Sequence, residues 1–514
     1  MALLGSILKR TIEIGGKLPK IRKADAYRQQ SKTLQQLLTK AEFTAFGEHY
    51  NFTRIIGSED LVQAFQQAVD THDYNSIFKK WWYRSLNGEP YVCWPDHIKY
   101  FALSSGTSEA SSKQIPVTKD MLKAIKKTSI MQIMSQYHYD LPKEHFERGM
   151  LMIGGSTHLN YNGTYFEGDL SGITAGNIPF WFQHFYKPGT RISKERNWNS
   201  KLEEITKNAR SWDISIICGV PAWTQILFEQ IITHYNVSNI HEIWPNLAIY
   251  VHGGVHFEPY KKGFEKLLGK PIIYLETYLA SEGFIAYQNR PDSKGMKLVL
   301  NNGIFYEFVP FSNNNFDGDG DLKTGAETLH IGQVREGQEY ALLISTCSGA
   351  WRYLIGDTIK FTSLEHYEIA ITGRTKHFLS LCGEHLSQDN MNKAIKMVSD
   401  ELNIDIKEFS VTGINHQSLF AHRWYIGTDD AVDAEILKEK IDGHLKILND
   451  DYRVERIAAL KDVFVDILPT HVFYDWMRQL GKEGGQNKFP RVMKKEKQND
   501  WEHYLIQKNL IKRN

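Results

Sequence analysis

The chain has 514 residues, 42% of them hydrophobic and 24% charged, with 61 Lys and Arg against 60 Asp and Glu. That length exceeds what one hydrophobic core usually organises, and the composition excludes an intrinsically disordered chain. The balanced charge excludes a global pull toward nucleic acid or anionic membrane, so no nucleic-acid partner is expected and any polyanion must be met by a local site.

A basic cluster runs from Lys9 to Lys32 and reads as the solvated face of a helix. The opening MALLGSILKR lacks the order and cleavage site of a secretory signal. Residues 24–50 set Leu34, Leu37, Leu38, Ala41 and Phe43 near helical spacing and predict one amphipathic helix. From about 55 to 270, helical segments alternate with short apolar runs that lead into glycine or proline: MLMIGG at Met150, DISIICGV at Asp213 and LAIYVHGG at Leu247. This alternation predicts an α/β fold with a mostly parallel sheet, whose sites lie beyond the carboxyl ends of the strands. The most apolar long segment, from Ser215, is interrupted by Pro221, Gln225, Glu229 and Gln230, so no membrane span is expected. Between 297 and 370, β-branched and aromatic residues with turns between them predict an added antiparallel β subdomain. From Ser387 the order helix, strand, strand, helix, strand is that of a small α+β domain. The expected division is a large domain over 1–375, including the β-rich 297–370, and a small mobile C-terminal domain over 376–514. The hinge falls at 374–377 and the active site between the two domains. Four cysteines at 93, 218, 347 and 382 form no C-x-x-C pair, which argues for a reducing, cytoplasmic setting.

The stretch YFALSSGTSEASSKQIPVT, residues 100–118, gathers hydroxyls around Gly106 and follows them with Lys113. It does not have P-loop spacing. Backbone N–H groups of a small-residue turn, with hydroxyls and an ammonium, can nonetheless hold a triphosphate; taken alone, the loop serves equally as a polar turn. Three further segments accompany it. TYLASEG, residues 277–283, puts a tyrosine four residues before Glu282 at the end of an apolar run. WRYLIGDTIKF, from Trp351, sets Asp357 behind a glycine, and TGRTKHFLSLCGEHLS, from Thr372, brings Arg374 and Lys376 to the expected domain junction.

In this order and at these separations, the segments resemble the adenylate-forming superfamily of firefly luciferase and the acyl-CoA synthetases. Within it they resemble the auxin-responsive Gretchen Hagen family of acyl acid amido synthetases, with its patterns S-S-G-T-S-x-G-x-x-K, Y-x-x-S-E and Y-R-x-G-D. The resemblance runs from the N-terminal helix through GGQNKFPRV at Gly484. Residues 278–282 match the second pattern fully. Ala110 stands where the first has glycine, and Leu354 replaces the arginine of the third, with Arg352 nearby as another anion contact.

The resemblance implies a ligase that uses ATP and Mg2+ to join a small carboxylic acid to an amino acid through an acyl adenylate. Ser104, Ser105, Gly106, Thr107, Ser108 and Lys113 would hold the β and γ phosphates, and Thr277, Tyr278 and Ser281 would contact the nucleotide and α-phosphate. Glu282 would bind Mg2+, Asp357 would accept from both ribose hydroxyls, and Arg374 would add a second grip on the sugar. Gly253 and Gly254, in HGGVHFEPY, would let the backbone approach the adenine and acyl pocket. Lys488, the late lysine of GQNKFPRV, would enter for adenylation and neutralise charge at the α-phosphate, with Lys376 as hinge and Gly484 and Gly485 letting its loop flex. Trp181, Phe182, Phe185 and Trp223 are candidate walls of an apolar acyl pocket.

Two other readings stand beside this one: an acyl-CoA ligase-type enzyme that passes the acyl group to a thiol, and a nucleotide-binding protein without turnover, suggested by Ala110 and Leu354. NFDGDGDLKTGAE, from Asn315, imitates a calcium loop, but its twelfth position is Ala326 and the acidic Glu327 comes one residue late. His252 and His256 are four apart, but glycines and a proline oppose the helix that would make them zinc ligands.

Overall fold

A computed structural model describes residues 23–511 apart from 105–112, 179–181, 255–256, 318–319, 376–378, 380–383, 385, 387, 417–418, 450–451, 454–455, 457–459, 483–487 and 494. The predicted first helix forms over Lys23–Ala41 and buries Leu34, Leu37, Leu38 and Ala41. Gln30 anchors it, donating to the carbonyls of Leu300 and Ile304 at 2.8 and 3.0 Å and accepting from the Tyr306 N–H at 2.8 Å. The expected single helix over 24–50 is in fact two. Thr44 caps a new helix, Ala45–His49, its hydroxyl accepting from the Gly47 N–H, and Phe43 in the connection is 74% exposed. A capping hydroxyl satisfies N–H groups that continued helix would have used, and this breaks the periodicity.

The alternating segments build parallel strands. Gly149–Ile153, Ile214–Gly219, Ile249–Gly253 and Ile273–Ala280 lie side by side, with Tyr186–Lys187 at the edge. After Ile273–Ala280 the chain turns through Ser281 and Glu282 into the antiparallel strand Gly283–Tyr287. The β-rich stretch is antiparallel as expected, but it continues this sheet: Met296–Leu298, Glu368–Arg374, Tyr353–Ser363, Glu339–Thr346, Ile304–Pro310 and Leu329–His330 extend it to twelve strands. Ile304–Pro310 is buried at every residue, and Glu339–Thr346 at every residue but its first, as their near-continuous apolar runs demand. A separate sheet pairs Tyr100–Ser104 with Lys113–Val117, with Ser104 opposite Lys113.

The C-terminal part follows the predicted order: helix Gln388–Leu402, strands Ile406–His416 and Leu419–Thr428, helix Ala434–Leu448 and strand Leu460–Leu468. Val492–Met493 then pairs in parallel with Ile406–His416 and completes its four-stranded sheet. Among the described residues, no helix is long and apolar enough to cross a membrane.

Candidate active site

Four strand ends and one turn converge where the sheet changes from parallel to antiparallel. Register sets the first contacts. Asp357 lies opposite Arg374, and Arg374 Nη1 stands 3.2 Å from Asp357 Oδ1 while its Nη2 donates to the Ile355 carbonyl at 3.0 Å. Tyr278, four strands along the sheet on Ile273–Ala280, donates its hydroxyl to Asp357 Oδ2. Burial raises the Tyr278 phenol well above its ordinary range, and the Asp357 charge adds to this, so it stays a donor. Asp357 thus sits between a phenol that donates to it and a guanidinium that pairs with it.

The Ser281–Glu282 turn is buried beside this pair. Burial raises the Glu282 carboxyl and Lys113 opposes the rise; burial lowers the Lys113 ammonium and Glu282 opposes that. Lys113 also lies 5.4 Å from the centre of the Tyr74 ring. Lys113, Arg374, Glu282 and Asp357 thus form one electrostatic group at the start of strand Lys113–Val117.

Gly253 sits opposite Thr277 in the parallel register, and a Cβ there would come within 2.4 Å of the Thr277 carbonyl oxygen. Only glycine fits that approach. Thr277 Oγ1 is buried without a hydrogen-bond partner among the described residues. Gly254 has φ +83°, and a Cβ there would face Lys488, 3.4 Å from its Cε and 3.6 Å from its Nζ. A lysine from the C-terminal part therefore reaches the glycine turn of the parallel sheet. Loss of bulk water deep in the cleft lowers its ammonium to about 8, with Asp357 opposing and Arg374 and Arg491 assisting. Its side chain is nonetheless exposed at the surface.

This geometry offers a cation on each side of a space floored by glycine backbone, a fixed acceptor pair and a buried carboxylate. Such a set suits a phosphorylated sugar and its counter-cation. Residues 21–188 match the GH3 family N-terminal domain, 297–374 the GH3 family central domain and 389–497 the GH3 family C-terminal domain. The chain belongs to the GH3 family. Among curated relatives it is 26% identical over 171 residues to indole-3-acetic acid-amido synthetase GH3.2 of Arabidopsis thaliana, covering 31% of this chain and 30% of that protein. Over 278 residues it is 26% identical to jasmonoyl-L-amino acid synthetase JAR4 of Nicotiana attenuata, covering 49% and 45%. The chain thus matches less than half the length of these relatives. Its fold is that of GH3.15 acyl acid amido synthetase, with a TM-score of 0.75 at 15% identity over 94% of this chain and 96% of that one. A 2-hydroxyisobutyryl-CoA ligase shares it at a TM-score of 0.61 and 11% identity, over 95% and 94%.

In this GH3 chain, Lys113, Gly253, Gly254, Thr277, Tyr278, Ser281, Glu282, Asp357, Arg374 and Lys488 gather around one cleft. Ser105, Gly106, Thr107, Ser108, Ala110 and Lys376, with Gly484 and Gly485, lie outside the described residues, and of Ser104 only the strand position is described. Arg352 needs a correction, because it does not stand in for the arginine that Leu354 replaces. Its guanidinium donates to Glu307 at 3.1 and 3.2 Å, to the carbonyls of Gln66 and Val69 at 2.7 Å each and to Thr328 at 3.0 Å. It is a structural cation tying the N-terminal helices to the sheet. Leu354 itself packs with Val309, Ala341 and Leu343. Of the aromatic residues expected to wall an acyl pocket, Trp181 lies outside the described residues and Trp223 packs against Trp198, with ring centres 5.1 Å apart.

The sequence reading missed Tyr353. Its hydroxyl is buried without a partner among the described residues, and the phenol is raised by burial, then by Glu282, with Arg374 opposing. Strand alternation is the signal that could have found it, since residues four apart on Tyr353–Ser363 share a face and Asp357 is already on the site.

Proposed function

We propose that this GH3 protein is an ATP-dependent acyl acid amido synthetase that adenylates a carboxylic acid and passes the acyl group to the amine of an amino acid. The observation that carries this reading is Lys488 of the C-terminal part lying against the Gly254 turn, opposite the Asp357–Arg374 pair. A carboxylate is a poor acyl donor because its leaving group would be oxide. Its oxygen therefore attacks the α-phosphorus of ATP, pyrophosphate leaves, and the acyl adenylate carries AMP as a good leaving group. In that displacement the protein's contribution is positioning and charge stabilisation.

The parts divide accordingly. Asp357, held by Tyr278 and Arg374, accepts from the ribose hydroxyls, and Gly253 and Gly254 let the backbone lie against the base. Thr277 Oγ1 and Ser281 face the α-phosphate, while Ser104, Ser105, Gly106, Thr107, Ser108 and Lys113 hold the outer phosphates. Lys488 neutralises charge as the carboxylate and α-phosphate oxygens close on each other. Mg2+ fits the Glu282 turn, because this ion takes one or two carboxylates, phosphate oxygens and waters rather than a protein cage. Among the described residues there is no group of three or more His, Cys, Asp or Glu side chains placed as such a cage. When bound it shields the phosphate charge. The large domain over 1–375 and the C-terminal domain over 376–514, hinged at 374–377 with Lys376 in the hinge, would let Lys488 leave once the adenylate has formed. The protein acts on small molecules in the cytoplasm.

Product analysis tests this. With MgATP, a panel of aryl, indolyl, jasmonate-like and fatty acids, and either amino acids or coenzyme A, mass spectrometry should find an amide and an equivalent of AMP. A thioester formed in place of any amide would overturn the amine acceptor in favour of a thiol. ATP binding with no AMP released for any acid would favour a nucleotide-binding protein without turnover.

A further inference from the structure

The segment that carries Lys488 is fixed at a buried junction that the chemistry above does not use. Tyr260, on helix Glu258–Lys266 beside the Gly254 turn, donates its hydroxyl to Glu408 Oε1 at 2.6 Å across the boundary with the C-terminal part. Glu408 Oε2 accepts from Arg491 Nη1 at 2.5 Å. Arg491 also donates to the Phe409 carbonyl at 2.9 Å, and its guanidinium lies 4.4 Å from the centre of the Phe409 ring. Its Nη2 stands 3.5 Å from the Tyr260 hydroxyl, closing a triangle. Tyr260, Glu408 and Arg491 are 1%, 3% and 9% exposed. Arg491 follows Lys488 by three residues, and strand Ile406–His416 grips the chain between them. Ser410 donates to the Pro490 carbonyl at 2.7 Å, and the Val411 N–H to the Arg491 carbonyl at 2.8 Å. Three residues span at most about 10 Å, so fixing Arg491 against Tyr260 confines Lys488 to a small volume.

Several further ties across this boundary are weaker in kind. Lys262 to Asp400 at 3.1 Å, Lys396 to Glu258 at 3.0 Å and Lys407 to Glu229 at 3.7 Å are partly exposed pairs at the rim. Such pairs are screened by salt and contribute little, whereas a buried charge-assisted bond is strong and directional. We infer that Tyr260 is a positioning residue for adenylation: through Glu408 and Arg491, its hydroxyl sets the lysine-bearing segment so that Lys488 meets the Gly254 turn. This rests on the reading of Lys488 given above, and its test includes a readout that does not.

Tyr260→Phe removes one oxygen and leaves the Glu408–Arg491 pair intact. In the full chain without ligand, competitive acetylation of lysines across pH, read by peptide mass spectrometry, follows the titration of Lys488. The wild-type residue should titrate near 8, and in Tyr260→Phe it should move toward the ordinary lysine value of about 10.4. Acid-dependent pyrophosphate exchange should lose about 10- to 100-fold in kcat, the usual cost of a small misplacement, with KM for ATP little changed. Conversion of a supplied acyl adenylate to amide should keep its wild-type rate. Lys396→Ala, at the rim, should leave all three readouts unchanged. An unmoved Lys488 titration in Tyr260→Phe, or equal losses in both half-reactions, would overturn the positioning role. If the wild type shows no exchange with any acid, the synthetase reading fails, and the Lys488 titration alone still decides whether Tyr260 sets the segment.

Discussion

In the reaction proposed above, Lys488 offers its charge to a phosphorus centre only while adenylation is under way, so its removal should act on rate more than on nucleotide binding. Lys488→Ala is expected to lower exchange kcat by roughly two to three orders of magnitude, the loss typical of one transition-state charge contact, while ATP affinity by calorimetry changes several-fold at most. The active form is the ammonium. Desolvation by the surrounding protein lowers its pKa to about 8, so its charge is lost as pH rises through that value, some two units below an ordinary lysine. The kcat/KM for ATP, which reports the free enzyme, should therefore be level below about pH 7 and fall about tenfold per unit above 8. A profile flat to pH 9.5 would contradict the assignment. Asp357, Glu282 and Tyr278 were legible in the chain only through the ordered set of segments that resembles the family's patterns; each segment alone says little. Tyr353 and Tyr260 were not: a tyrosine among apolar residues is most often core, and only what surrounds its hydroxyl in three dimensions reveals another role.

The close pairing of strands Ile249–Gly253 and Ile273–Ala280 sets the shape of the side of the cleft to which the proposed reaction assigns the nucleotide. Gly253→Ala would press a methyl to within 2.4 Å of the Thr277 carbonyl oxygen, which is strand backbone and cannot step aside. Overpacking of this kind costs about 1–3 kcal/mol, so thermal melts should show a lower Tm and calorimetry a weaker ATP site. Gly443→Ala, mid-helix in Ala434–Leu448 with nothing near its added carbon, should instead stabilise by about 0.5–1 kcal/mol. Arg352→Leu strands Glu307, which is fully buried, and should cost about 3–5 kcal/mol in denaturant unfolding. Any properly folded fraction should bind ATP as before, since Arg352 lies away from the site. At this scale the alternation of strands and helices was readable, because each run ends in its own turn chemistry. The break at Thr44 was hidden under apolar spacing that persists across it, and Arg352 was placed by nearness in sequence, whereas it precedes strand Tyr353–Ser363 with φ +40° and its guanidinium is taken up by buried Glu307.

At the scale of the molecule, a change from parallel to antiparallel pairing within one sheet brings the ends of distant strands to a single cleft, which the C-terminal part closes with Lys488. Continuity of that sheet was not legible, since the pairing of Met296–Leu298 with both Gly283–Tyr287 and Glu368–Arg374 is a contact between segments far apart in the chain. Nor was the docking at Tyr260, whose three members are spread from residue 260 to residue 491 with no local pattern between them. The central claim is that these parts serve acyl adenylation. It is tested most directly by carboxylic acid-dependent exchange of labelled pyrophosphate into ATP, run with Mg2+ on the wild-type chain and on Lys488→Ala. The account predicts exchange with at least one acid class and its near-complete loss in the variant. Undiminished exchange in Lys488→Ala, or ATP binding without exchange across the whole acid panel, would contradict it.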